Sequence, residues 1–482
     1  MTMEDRIFRA NRRLITTAIL LTAILQILLI FNYNVWNDEA TTIIYILRDF
    51  KDLWGTIMVD DHPPLYYLLL KGLISVFGYR FGLVKLFSAV PIILMHIWTG
   101  ALVLRDPRMR ASRHAGPLAT LFIVITTLDH NFLYLSTEIR MYSLAMFFVT
   151  MSGIYAFKVY ADGRKRDHVI LVLLLLGGAY THHFATLSEA FICLFLFIFL
   201  LRRDIRAIRQ VLFITGASFI GYLPWLPVLL GQIGLTSGEA RVRFRMTDVR
   251  GYFSYIIEND AWIVMLLSVI LLLAFYALLP DDRRTKEEKA EIVFGLLSIS
   301  VVFLVMFTGI FVNLKISPVF MGRYLSPALG LFWLGFIVLA ARVDHRRIVV
   351  LLLGGLIVYK SLTGYTARLI TEYDTGTQNI VQAFNEMAGP EDYIVTNNEH
   401  LRISVLGFYF PGHLIRDIED IDFEEDEIDR PVWYFEDTQM EEDKEYIEAA
   451  GYQCRHILTG DFDNTYYFRL YLIGRKPEEN GG

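Results

Sequence analysis

The chain has 482 residues, 54% hydrophobic and 14% aromatic, which is too apolar for a water-soluble globule. Its formal net charge of −6 hides a division: residues 370–482 hold 26 acidic and 8 basic residues, while the remainder is net basic. So acidic a tail argues against nucleic acid as a partner. The two cysteines, Cys193 and Cys454, offer neither a disulfide framework nor a zinc spacing.

A basic segment, Met1 to Arg13, leads into an apolar run too long for a signal-peptide core and without a small-residue cleavage site, so it reads as a retained anchor. Eleven apolar stretches follow the hydropathy criterion for spans: 14–32, 83–104, 116–132, 140–160, 168–183, 185–201, 209–230, 261–280, 291–313, 324–341 and 347–363. Every second connection is basic, as in Arg105 to Arg113, Lys158 to Arg166, Arg202 to Arg209, Arg283 to Lys289 and Arg342 to Arg347. Those loops are expected in the cytoplasm, with the N-terminus inside and the C-terminal part outside. The expectation is a polytopic α-helical membrane protein of about 11 transmembrane helices. Residues 1–365 form its membrane part, and 370–482 a small extracytoplasmic α/β domain.

Two loops on the expected outer side stand out, 33–82 and 231–260. The first holds Asp38-Glu39 and Asp61-His62-Pro63-Pro64, with a shorter apolar stretch, Leu65 to Phe77, read as an interfacial helix. The second carries Arg241, Arg243, Arg245 and Arg250 against the positive-inside trend.

In the tail, Thr377–Met387, Leu401–Phe410 and Glu441–Ala450 have helical spacing, while Asp392–Thr396, Pro431–Phe435 and Thr465–Ile473 read as strands. The acidic run Asp417–Asp429 reads as a solvated loop.

Ionisable residues are costly near a bilayer, so those at the outer face draw attention first. Asp38 and Glu39 can cap a helix beginning at Ala40-Thr41-Thr42, or supply a general base for an acceptor hydroxyl. Asp61 and His62 precede a Pro-Pro helix start. They can be plain caps, phosphate partners, or two ligands of a divalent metal ion, the one cofactor the residues leave open. In Tyr134 to Tyr142, helical spacing puts Glu138 and Tyr142 on one face with Arg140 elsewhere. These residues form either a structural ion network or the wall of a site shared with Asp38. Thr181-His182-His183 marks another outer turn, its histidines read as interfacial polar residues. Arg323-Tyr324 sits at an outer helix end, where the arginine either snorkels or holds a phosphate with its planar fork.

Together these residues resemble the dolichyl-phosphate-mannose-protein mannosyltransferase and ArnT-like superfamily of GT-C glycosyltransferases. The resemblance rests on Asp38-Glu39-Ala40, on His62-Pro63-Pro64-Leu65-Tyr66-Tyr67, on Glu138-Ile139-Arg140-Met141-Tyr142, and on Arg323-Tyr324-Leu325 with Pro327. It implies transfer of a sugar from a polyprenyl-phosphate carrier to a lipid, glycan or protein acceptor outside the membrane, with inversion. It also implies residence in a prokaryotic plasma (inner) membrane. Asp38 then matches the family's essential aspartate. Glu39, Asp61 and His62 match the loop that positions donor phosphate or metal, and Arg140 and Arg323 match positions near the donor.

Two other classes compete. A flippase or transporter of lipid-linked sugars would need mid-membrane ionisable groups and paired repeats, and no clear repeat is visible. A scaffold would use the tail to bind a partner.

Overall fold

The computed structural model of the chain describes residues 2–475 apart from 32–33, 204–206, 237–244, 258–260, 279–283, 317–318, 343–345, 400, 422–429, 439–443 and 463–465. Arg206, Arg241, Arg243 and Arg283 lie outside the described residues, as does most of the acidic run.

The eleven expected spans fall on helices, with 116–132 and 209–230 each falling on more than one. Among the described residues, six helices are long and apolar enough to cross a membrane, or eight if each of two bent pairs is one span. The helix Lys165–Ala179 falls short of that test: its 15 residues reach about 22 Å, against the ~30 Å of a hydrocarbon core. The Leu65–Phe77 helix is shorter still, with Tyr66, Tyr67, Leu70 and Ile74 on its buried side.

One bent pair turns by 63° between Ala115–Leu128 and His130–Thr137. Asp129 restarts the helix there, its carboxylate accepting the Asn131 amide at 3.1 Å. At the far end of the second piece, the hydroxyls of Ser136 and Thr137 bond back to the Leu133 carbonyl at 3.4 and 3.2 Å. Such back-bonding competes with the helix ladder. The helix ends at Glu138, whose backbone is extended, and a new one begins at Tyr142. The single helix face expected for Glu138 and Tyr142 is therefore replaced by a break.

Two compact units emerge from the packing. One holds Met1–Ile30, Trp54–Val76 and Leu83–Leu369; the other holds Phe31–Leu53, Phe77–Gly82 and Ile370–Gly482. The segment with Asp38 thus clusters with the tail, a grouping its place in the sequence does not suggest. In the first unit the core lies among Tyr142–Asp162, Lys286–Lys315 and Ser326–Arg342, where Val301, Val302, Val305, Leu329 and Leu331 are fully enclosed. Glycines permit the close approach: a Cβ on Gly335 would meet the Gly295 carbonyl at 2.6 Å.

In the second unit a five-stranded sheet has the order β2-β1-β3-β5-β4, from Tyr393–Thr396 (β1), Leu414–Asp417 (β2), Val432–Asp437 (β3), Tyr452–Phe462 (β4) and Tyr466–Arg475 (β5). β1 pairs in parallel with β2 and β3, while β5 runs antiparallel to β3 and β4. β3 is buried along its length because apolar clusters cover both faces. Phe384, Trp433 and Phe435 lie on one side; Val432, Tyr434 and Ile447 lie on the other. β2 and β4 were not expected from the sequence.

Candidate functional site

In the first unit four side chains close a ring. Asp60, just past the helix Phe50–Val59, accepts the Tyr67 hydroxyl at 3.0 Å and lies 3.3 Å from His62 Nδ1. His62 Nε2 is 3.2 Å from the Arg140 guanidinium, and a second Arg140 nitrogen reaches the Tyr67 hydroxyl at 3.5 Å. A guanidinium only donates, so Nε2 accepts and Nδ1 carries the proton that faces Asp60. Burial pushes the Asp60 carboxyl up. The hydrogen bond from His62, the charge of Arg140 and the Tyr67 hydroxyl outweigh it and hold the group below its ordinary value.

The partner of His62 is therefore Asp60. Asp61, the carboxylate singled out beside His62, meets the His183 ring through its backbone. As for a metal, Arg140 stands against the one His62 nitrogen with a free lone pair. Among the described residues no group of three or more His, Cys, Asp and Glu side chains could hold an ion. This donor set does not fit a divalent cation.

The helix break makes this arrangement. With the chain extended at Glu138, the Arg140 amide bonds the Glu138 carbonyl at 2.7 Å, and both side chains lie buried. Arg140, expected to point elsewhere, enters the cluster. So does His182, expected from its polar neighbours to be interfacial. Only 2% exposed, its ring lies 6.0 Å from His62, 5.6 Å from Tyr142 and 5.5 Å from Tyr324. Tyr324 stacks on Phe184 at 5.0 Å and brings Arg323 with it. Burial first, and then its neighbours His62, His183, Arg140 and Arg323, hold the His182 imidazole well below its ordinary value. One cluster thus joins Asp60, His62, Tyr67, Arg140, Tyr142, His182, Arg323 and Tyr324, with Glu138 beside it through its backbone. Its two arginines are the groups in it that suit a phosphate.

In the second unit, Asp38 and Glu39 occupy the first turn of the helix Asn37–Leu47, which begins earlier than the expected Ala40. Glu39 is buried and reaches back to accept the Trp36 amide at 3.4 Å, a capping arrangement. Asp38 is half-buried. The segment is fixed by the tail: the Val35 amide donates to the Tyr409 hydroxyl at 3.0 Å, and the Ser404 hydroxyl bonds the Asn37 side chain.

No family model matches the chain, and no curated protein matches it in sequence. Among solved structures, ArnT from Cupriavidus metallidurans in the apo state is similar with a TM-score of 0.62 at 10% identity, over 95% of this chain and 97% of that one. The same protein bound to undecaprenyl phosphate is similar with a TM-score of 0.61 at 11% identity, over 97% and 98%. The chain therefore has the ArnT-like GT-C fold, a polytopic membrane fold ending in a small sheet domain.

Proposed function

We propose that the chain is a membrane glycosyltransferase. It moves a sugar from a polyprenyl-phosphate carrier to an acceptor hydroxyl on the extracytoplasmic side of a prokaryotic inner membrane, with inversion. The observation that carries this reading is the ring that fixes Arg140 beside His62, with Arg323 drawn into the same cluster through His182 and Tyr324. A phosphate bound to a lipid is the anion such a pair suits. The undecaprenyl phosphate bound by the structural neighbour supports the same class of donor.

The chemistry follows from the leaving group. As the bond from the anomeric carbon to the phosphate oxygen breaks, charge grows on a phosphate that leaves as a stable anion. Arg140 and Arg323 stabilise that charge, and no general acid is needed. The sugar passes through an oxocarbenium-like state. Asp38 takes the proton of the acceptor hydroxyl as the new glycosidic bond forms on the opposite face. Asp60, His62 and Tyr67 hold the Arg140 fork, and Glu39 holds the helix turn that carries Asp38.

The test is a transfer assay with the purified chain in nanodiscs and polyprenyl-phosphate sugars labelled in the sugar. Label should pass to a new acceptor in the intact chain, and Arg140→Ala should remove that transfer together with undecaprenyl phosphate binding. Vesicles that carry labelled lipid-linked sugar across the bilayer without making a new bond would replace this reading with a flippase.

A further inference from the structure

The tail has a topological feature that its acidic composition conceals. In the strand order β2-β1-β3, the chain leaves β1 to one side for β2 and then returns to the other side for β3. In open parallel sheets that reversal marks the place where ligands bind, outside the carboxyl ends of the two diverging strands. Here those ends are Asn397 and Asn398 after β1, and Asp437 closing β3. They are tied together: the Asn398 amide donates to the Asp437 carboxylate at 2.6 Å, and the Asp437 backbone amide donates to the Asn397 side chain at 2.8 Å. Asn398 and Asp437 are almost fully buried.

Tyr466 opens the neighbouring β5 and is half-buried. Burial first, then the carboxylates of Asp38 and Asp437, push its phenol up to about 12. β5 runs antiparallel to β3, with Asp437 opposite Phe468, so Tyr466 at the start of β5 lies at the same end of the sheet as Asp437, and it keeps its proton as a hydrogen-bond donor. Asp38 reaches this neighbourhood on the helix Asn37–Leu47, which packs on the π-helical turn Leu401–Leu406 that follows β1.

We propose that Tyr466 binds the acceptor beside Asp38, and that Asp437, held by Asn398, is the positioning residue for it. This rests on the reading of Asp38 as the base. The chemistry also selects the acceptor class. Two carboxylates around one protonated phenol repel an anionic group and favour a neutral, hydroxyl-rich acceptor such as a saccharide. The phenol donates to an acceptor hydroxyl oxygen, and Asp38 accepts the hydroxyl proton that transfer releases.

The experiment compares source membranes lacking the chain and complemented with the intact protein, Asp38→Asn, Tyr466→Phe, Asp437→Asn or Asp437→Glu. Mass spectrometry identifies the glycoconjugate that the intact chain makes. Tyr466→Phe and Asp437→Asn should each lower it at least tenfold, and Asp437→Glu should restore most of it. Undecaprenyl phosphate binding to the purified Tyr466→Phe chain should stay unchanged, and the glycosylated acceptor should carry no phosphate at the modified residue. Normal product with Tyr466→Phe, or an acceptor modified on a phosphate-bearing group, overturns the inference. If Asp437→Asn fails to fold, Tyr466→Phe decides alone. Normal product with Asp38→Asn would instead overturn the reading of the base.

Discussion

Arg140 and His62 lie 78 positions apart in the chain, yet the guanidinium stands 3.2 Å from the imidazole Nε2. The pair exists because the chain breaks at Glu138 and turns Arg140 inward, where Tyr67 and Asp60 complete the ring.

Arg140→Ala should cost transfer about a hundredfold or more, since removing one member of a buried charged network costs roughly 3 kcal/mol. Arg140→Lys should not rescue it, because an ammonium cannot reach His62 and Tyr67 together as the planar fork does. The check is kcat/KM for labelled donor, measured beside circular dichroism to confirm the helical fold. Lysine at near-normal activity would remove the fork from the account.

Arg323→Ala should weaken undecaprenyl phosphate binding about tenfold and leave the melting temperature close to that of the intact chain, because Tyr324 keeps its stack on Phe184. Titration of the purified protein measures this. Unchanged affinity would take Arg323 out of the phosphate site.

Acid should loosen this cluster. The His182 imidazole is held well below its ordinary 6.5. Between 6.5 and its lowered value the unfolded chain binds the extra proton and the folded chain does not. Stability from this group is thus fully present above pH 6.5 and falls as pH drops below it, by about 1.4 kcal/mol per unit. Asp60, held below 3.8, adds a loss only as pH falls through its lowered value. Thermal unfolding between pH 8 and pH 5 should show the first slope, and His182→Gln should make it shallower, the other buried histidines keeping their share. An unchanged slope would mean another group sets the acid sensitivity.

Gly335→Ala should destabilise the membrane part by about 1–3 kcal/mol, because the added Cβ meets the fixed backbone carbonyl of Gly295 rather than a side chain that can rotate. Gly216→Ala, where nothing lies within 4 Å, should be nearly neutral. The pair of melting temperatures decides it: equal values would contradict the close packing of these helices.

The sequence was most legible where hydrophobicity alone decides structure. The apolar stretches fall on helices, six to eight of them, among the described residues, long and apolar enough to cross a membrane, and the tail carries a small sheet. It was least legible where polar residues override periodicity. The spacing of Glu138 and Tyr142 reads as one helix, but hydroxyl back-bonding at Ser136 and Thr137 accompanies its end. His182 looks interfacial because its neighbours are polar, and it is buried by aromatic residues distant in sequence. β4 was missed because its residues alternate too weakly between apolar and polar to announce a strand. Asp60 stands in the same run as Asp61 and His62, and which of the two carboxylates meets His62 is set by the non-helical turn before Leu65, which spacing alone does not reveal.

The most direct measurement is sugar transfer by Asp38→Asn in nanodiscs, read beside undecaprenyl phosphate binding by the same protein. The account predicts binding within about twofold of the intact chain and transfer reduced by ~1000-fold or more, because the acceptor hydroxyl loses its base while the phosphate site is untouched. Transfer at the rate of the intact chain would contradict it.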